Sequence, residues 1–146
     1  MTVTLQQLKA FFGRSPFMAD LGVEPVAVEP GRVTTVLTIL PRFLQHSGVV
    51  HAGVMATLAD HTMGSSAHTL APEGSVILTA ELKTSLLRAA FGERLVCEGW
   101  TLKPGRTLSF TEAEVYAESN GQRTLVMKAS ATMAVTVIHE PKAAPC

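Results

Sequence analysis

The sequence predicts an α+β fold in which one long buried helix lies against a broad antiparallel sheet of about six strands. The first sign is residues 52–71, which contain no Lys, Arg, Glu or Pro while Val54, Met55, Leu58, Met63, Ala67 and Leu70 recur at helical spacing. The second is four stretches, 76–87, 94–103, 106–119 and 122–137, rich in β-branched and aromatic residues and alternating in polarity. In the last of them Leu125, Met127, Ala129, Ala131, Met133 and Val135 recur at period two. The third is turn chemistry: Lys103-Pro-Gly-Arg106 and Ser119-Asn-Gly-Gln122 read as hairpin connections between those stretches.

The remaining elements fit around this frame. Leu5, Leu8, Phe11 and Phe12 give residues 1–15 a short amphipathic helix, with Thr4 as its cap and Gly13 as its stop. Residues 22–29 and 32–40 read as two strands joined by Glu29-Pro-Gly-Arg32, where Pro and Gly supply the backbone angles of a tight turn, and Pro41 ends the pair. The loop 42–48 leads into the long helix, and Pro72-Glu-Gly74 closes it. Residues 139–146 read as a flexible tail. With no repeat, linker or low-complexity tract, residues 1–146 are expected to form one domain.

Composition narrows the function. A chain of 146 residues that is 47% hydrophobic can build a substantial core. Its 12 basic and 12 acidic residues balance, which argues against nucleic acid as a partner. No apolar run reaches the roughly 18 residues of a membrane span, and no basic segment precedes a signal-peptide core, so a cytoplasmic protein is expected. The two cysteines, Cys97 in a strand and Cys146 at the last position, suggest neither a disulfide framework nor a metal site.

Chemistry concentrates on the long helix, whose single formal charge is Asp60. At about 100° per residue, Asp60 shares a face with Gly53, Ala56, Thr57, Gly64 and Ala67, a stripe of small side chains that lets a backbone or a ligand come close. A buried carboxylate without a partner is costly, so Asp60 either caps a second helix after a break, or is a structural acid satisfied by a neighbouring Thr or His, or is a general base or nucleophile in a half-buried pocket. Gly48 and Gly53 favour the last reading, because they allow a tight entry into the helix and leave its first-turn N–H groups free to polarise an oxygen. No Gly-x-Ser-x-Gly elbow is present, so a serine triad is not expected.

The pattern Gly48-x-x-His51-Ala-Gly53, then Leu58-Ala-Asp60, a strand containing Thr79, and Lys103-x-Gly105-Arg106-Thr107-Leu108-x-Phe110 resembles the PaaI-like acyl-CoA thioesterases of the hotdog-fold superfamily. The resemblance covers about residues 17–136. It implies a sheet curled around the helix and hydrolysis of an acyl-CoA or aryl-acyl-CoA thioester, with coenzyme A as part of the substrate and no separate cofactor. It places Asp60 on the catalytic acid and Ala52 on the residue whose backbone N–H faces the thioester carbonyl, within His51-Ala52-Gly53 where the family usually has His-Gly-Gly. Gln45 falls where the family usually has an Asn, with His46 beside it, and Thr79 falls on the strand Ser or Thr that helps hold water. His51, His46 and Gly48 would line the site. The phosphates of coenzyme A would meet Lys103, Arg106 and Thr107 on the hairpin. The resemblance also implies a homodimer or homotetramer with each site shared across the dimer interface, residues 45–53 of one subunit facing Asp60 and Thr79 of the other.

Bland readings stand beside these roles. Thr79 can be an ordinary strand residue, and Lys103 and Arg106 solvated strand-end charges. His61 and His68 share a helix face, but Asp60 points roughly 100° away and no third ligand has usable spacing, so no metal is expected. Phe17, Met55 and Phe91 are candidates for lining an acyl pocket. Two other functions are compatible with the pattern: an acyl-thioester hydratase or dehydratase on the same fold, and a non-catalytic acyl-CoA-binding module.

Overall fold

The protein is described by a computed structural model covering residues 2–137. Two short helices come first, α1 (Leu5–Gly13) and α2 (Pro16–Leu21), then strands β1 (Glu24–Glu29) and β2 (Arg32–Thr38) and a single 3-10 turn, Pro41–Phe43. The long helix α3 (Ala52–His68) follows, and then β3 (Val76–Leu86), β4 (Arg94–Lys103), β5 (Leu108–Ser119) and β6 (Gln122–Thr136). The six strands form one sheet in the order β1-β2-β4-β5-β6-β3, and every neighbouring pair is antiparallel. The sheet curls around α3, the hotdog arrangement that the sequence resemblance implied.

Helix α3 packs against β2, β3, β4, β5 and β6, so the core lies between one helix and five strands. Leu58, Ala59 and Met63 on α3 meet Leu95, Val115, Met127 and Met133 from the sheet, all without measurable exposure. At Gly99 on β4 the two layers come close: a Cβ there would sit 2.9 Å from the Thr62 side chain and 3.1 Å from its backbone. Thr62 is buried, donates its hydroxyl to Leu58 O and meets the Thr35 hydroxyl of β2, both at 2.7 Å, so the buried polar groups at this crossing are satisfied.

Several boundaries differ from the sequence reading, the ends of β2, β3 and β6 by only one or two residues. Helix α3 ends at His68 rather than at residue 71. The Thr69 hydroxyl donates to Ser66 O at 2.7 Å and accepts from Gly31 N–H at 2.7 Å, which ties the helix end to the β1–β2 turn. The N-terminal segment holds two helices rather than one. Thr4 caps α1 with a reciprocal Gln7 bond, but Gly13 lies inside the helix, and Ser15-Pro16 starts α2, which ends at Gly22 in the left-handed conformation. The first strand therefore starts at Glu24. Strand β5 starts at Leu108 because Gly105 turns the hairpin so tightly that a Cβ would lie 1.9 Å from Leu108 O. The expected tail, 139–146, lies outside the described residues.

Candidate functional site

Asp60 sits midway along α3, on the side that faces the edge strand β3. Its carboxylate accepts a hydrogen bond from the Thr79 hydroxyl at 2.6 Å. The Thr79 hydroxyl also lies 3.5 Å from the Met133 sulfur. Among the described residues no other donor meets the carboxylate, so one of its oxygens is held and the other is open to a water or a ligand. The small-residue stripe is real on this side: Gly53 is exposed, and Ala56, Thr57 and Gly64 are partly so, while Ala67, expected to share the face, is buried in the core.

Two cavities open beside Asp60. One, of about 160 Å³, runs along α3 past Gly64 and Ser65 to His68, under Phe11 of α1 and against Ile77 of β3. The other, of about 330 Å³, is bounded by Phe17, Met18, Ala56, Thr57 and Leu82. Of the three apolar residues that the sequence offered as pocket lining, Phe17 serves. Met55 is in the core, and Phe91 is exposed and borders neither cavity.

The histidines of α3 have aromatic partners. His61 meets the Phe12 ring edge-on, with centroids 4.3 Å apart, and its buried Nε2 has no hydrogen-bond partner. Burial holds its pKa below the ordinary value and outweighs the upward pull of Asp60. His68 stacks on Phe11, and burial lowers its pKa as well. Among the described residues no group of three His, Cys, Asp or Glu is disposed to hold a metal ion.

The start of α3 makes a second cluster. The loop before it is fixed by backbone bonds, Gln45 N–H to Val49 O and Gly48 N–H to Gln45 O, both 2.9 Å, with Gly48 at a φ of 82° that favours glycine. The Gln45 and His46 side chains project into solvent. His51 is the helix cap: its Nδ1 accepts from Gly53 N–H at 2.9 Å, which leaves the imidazole proton on Nε2. The sequence reading left all first-turn N–H groups free, but that of Gly53 is taken by His51. The Ala52 N–H has no acceptor among the described residues.

The structure thus brings together Asp60 and Thr79, and separately Gln45, His46, Gly48, His51, Ala52 and Gly53, but within one chain it does not join the two groups. Eight residues at about 1.5 Å each separate Ala52 from Asp60 by roughly 12 Å along the helix. Neither cavity beside Asp60 includes a residue of 45–53. Lys103, Arg106 and Thr107 lie exposed at the β4–β5 hairpin, and among the described residues neither cation pairs with a carboxylate. Residues 61, 65 and 68, which shape the cavity beside Asp60 together with Phe11, were not predicted to line it. Their signal in the sequence is the spacing 61, 65, 68 along one side of a helix already known to carry the acid.

Comparisons with known proteins bear on the fold and the family. The crystal structure of a thioesterase family protein from Silicibacter pomeroyi superimposes with a TM-score of 0.87 at 33% identity, covering 90% of this chain and 97% of that one. Human acyl-coenzyme A thioesterase 13 is 27% identical over 125 residues, 84% of this chain and 89% of its own length. A protein described as a putative esterase from Haemophilus influenzae is 26% identical over 120 residues, 82% of this chain and 86% of its own. The model of the thioesterase superfamily matches residues 47–124, more than half of the chain and the whole span from the α3 cap through β5. This chain belongs to the thioesterase superfamily.

Proposed function

We propose that this protein hydrolyses acyl-coenzyme A thioesters at sites built across a two-fold dimer, with Asp60 as general base or nucleophile. The observation that carries the proposal is the pairing of Asp60 with Thr79 beside a cavity, while the unpaired Ala52 N–H stands about 12 Å away along the same helix. A thioester needs a positioned carboxylate and an oxyanion donor within reach of one carbonyl carbon. Two copies of α3 related by a two-fold axis perpendicular to the helix run antiparallel, which lets the Ala52 N–H of one meet the Asp60 of the other.

In that arrangement the α3 N-terminus polarises the thioester carbonyl through Ala52 N–H, which the helix dipole reinforces. Thr79 holds one carboxylate oxygen of Asp60, and the other takes a proton from the attacking water. The tetrahedral intermediate then collapses and the coenzyme A thiolate leaves. Direct attack by Asp60, giving an anhydride that water opens, uses the same groups. Gln45, with His46 beside it, reaches from the loop of the opposite subunit to orient the water or the carbonyl. His51 and Gly48 shape that loop, and the exposed cations at 103 and 106 with Thr107 receive the phosphates of coenzyme A. The acyl group enters the cavity beside Asp60. Exposed Leu78, Leu82 and Leu86 on β3 support a two-fold contact at that edge. Leu102, Leu108 and Phe110 near the hairpin offer a second apolar surface, on which two dimers could join. The free buried Cys97 fits a cytoplasmic location.

Release of free thiol from a series of aryl, short and long acyl-CoAs tests this reading. Asp60→Asn should lower turnover by roughly 10² or more while leaving the fold and the affinity for coenzyme A in place. Near-normal turnover in that variant would remove Asp60 from the mechanism. Tight acyl-CoA binding without thiol release by the unaltered protein would mark it as a binding module.

A further inference from the structure

We propose that the stacked rings of Phe11 and His68 form a partition that limits acyl length, closing the far end of the cavity beside Asp60 and separating it from a larger groove that could take the end of a long chain. This rests on the acyl-CoA reading above and concerns the same site. The cavity beside Asp60 measures about 160 Å³. An engineered apolar cavity of about 150 Å³ holds a benzene molecule, so this one has room for a single ring or a short chain. Beyond it lies a groove of about 450 Å³ between α1 and the segment after α3, lined by Val3, Leu8, Ala10, Ala71 and Pro72, with Arg14 and Glu73 among its polar residues. Phe11 and His68 are the residues that line both spaces.

The two rings come from different elements, α1 and α3, and lie 5.4 Å apart at 9° between planes. Burial lowers the pKa of His68, which favours an uncharged ring against Phe11. Phe11 is 39% exposed and is not what anchors its helix: Leu8 and Phe12 are buried in the core, and the Thr4–Gln7 capping box fixes the start. The wall can therefore be removed from either side without taking away a core residue.

The test is the affinity of non-hydrolysable hexyl- and dodecyl-coenzyme A thioethers, measured by titration calorimetry. The unaltered protein should bind the dodecyl compound no more tightly than the hexyl one, since the added methylenes find no cavity. Phe11→Ala, and independently His68→Ala, should raise the dodecyl-to-hexyl affinity ratio roughly ten-fold as the chain reaches the groove. A strong dodecyl preference in the unaltered protein, a ratio that neither variant moves, or failure to bind either thioether would overturn the partition. Thiol release from the matching acyl-CoAs separates the two readings: a ratio that shifts without any hydrolysis sinks the hydrolase and leaves the partition standing, and hydrolysis with an unmoved ratio does the reverse.

Discussion

Strand β1 ends the sheet in six residues that include Pro25 and a bulge between Pro25 and Ala27, with Glu24 and Glu29 at its ends and α1 packed alongside. Strand β3 ends it in eleven residues, most of them exposed, with Leu78, Leu82 and Leu86 open to solvent. A proline, a bulge and terminal charges are the usual devices that stop an edge from pairing, and β1 has all three. β3 has a bulge between Thr79 and Glu81 and the charges of Glu81 and Lys83, but its apolar residues outweigh them. The unprotected edge is also the one that supplies Thr79 to Asp60. The contrast ties the open strand to the proposed site: the edge with exposed apolar residues lies beside Asp60, where the proposed dimer would place its second subunit.

The largest effect should come from breaking the open edge. Leu86→Lys, at a position 54% exposed and outside the cavities beside Asp60, should weaken self-association about thirty-fold, the effect of losing an interface anchor, and lower activity in step with the loss of dimer. Val26→Lys on β1, at a position 44% exposed, should change neither. Analytical ultracentrifugation across protein concentrations gives both answers, and equal effects at the two edges would erase the distinction between them.

Thr79→Val sharpens the comparison at the level of chemistry. Valine keeps the β-branched shape but cannot donate to Asp60, so turnover should fall about ten-fold with little change in thermal stability. Thr79→Ser, which restores the hydroxyl, should recover most of the rate. A loss of stability without a loss of rate would make the hydroxyl structural.

A smaller effect lies on the α1 side, where His61 packs against Phe12. Its folded pKa lies below the unfolded value of about 6.5, so the unfolded chain takes up the proton first. Stability from this group is complete above that pH and declines as pH falls below it toward the folded pKa. Denaturant titrations should show the slope, and His61→Phe should flatten it. A slope that is unchanged in the variant would assign the pH dependence to other groups, His68 first.

Much of the fold was legible because helix and strand periods are local. The helix free of charge except at Asp60, the alternating strands and the two hairpin turns needed no knowledge of tertiary contacts. Short α2 was missed although Ser15-Pro16 and Gly22 spell its start and end, because six residues carry too little periodicity to compete with the preceding helix. In the site, Asp60 stood out as an acid among small apolar neighbours. Its bond to Thr79 could not be derived from local pattern, since it depends on β3 returning to the far edge of the sheet beside β6. The capping of Gly53 by His51 was hidden for another reason: histidine is an unusual helix cap, and its ring must fold back to within 2.9 Å of an amide two residues on. Phe11 and Phe12 looked alike in the sequence, and only the placement of α1 sends one into the core and the other to the cavity wall.

The claim that each site takes Asp60 from one subunit and the loop 45–53 from the other is tested most directly by complementation. Asp60→Ala and Gln45→Ala homodimers, each with low activity, are unfolded together and refolded. Half of the resulting dimers should be mixed, and in each mixed dimer one of two sites has all its parts, so about a quarter of the original activity should return. Activity that stays at the mean of the two parents, while native mass spectrometry shows that mixed dimers have formed, would contradict the shared site.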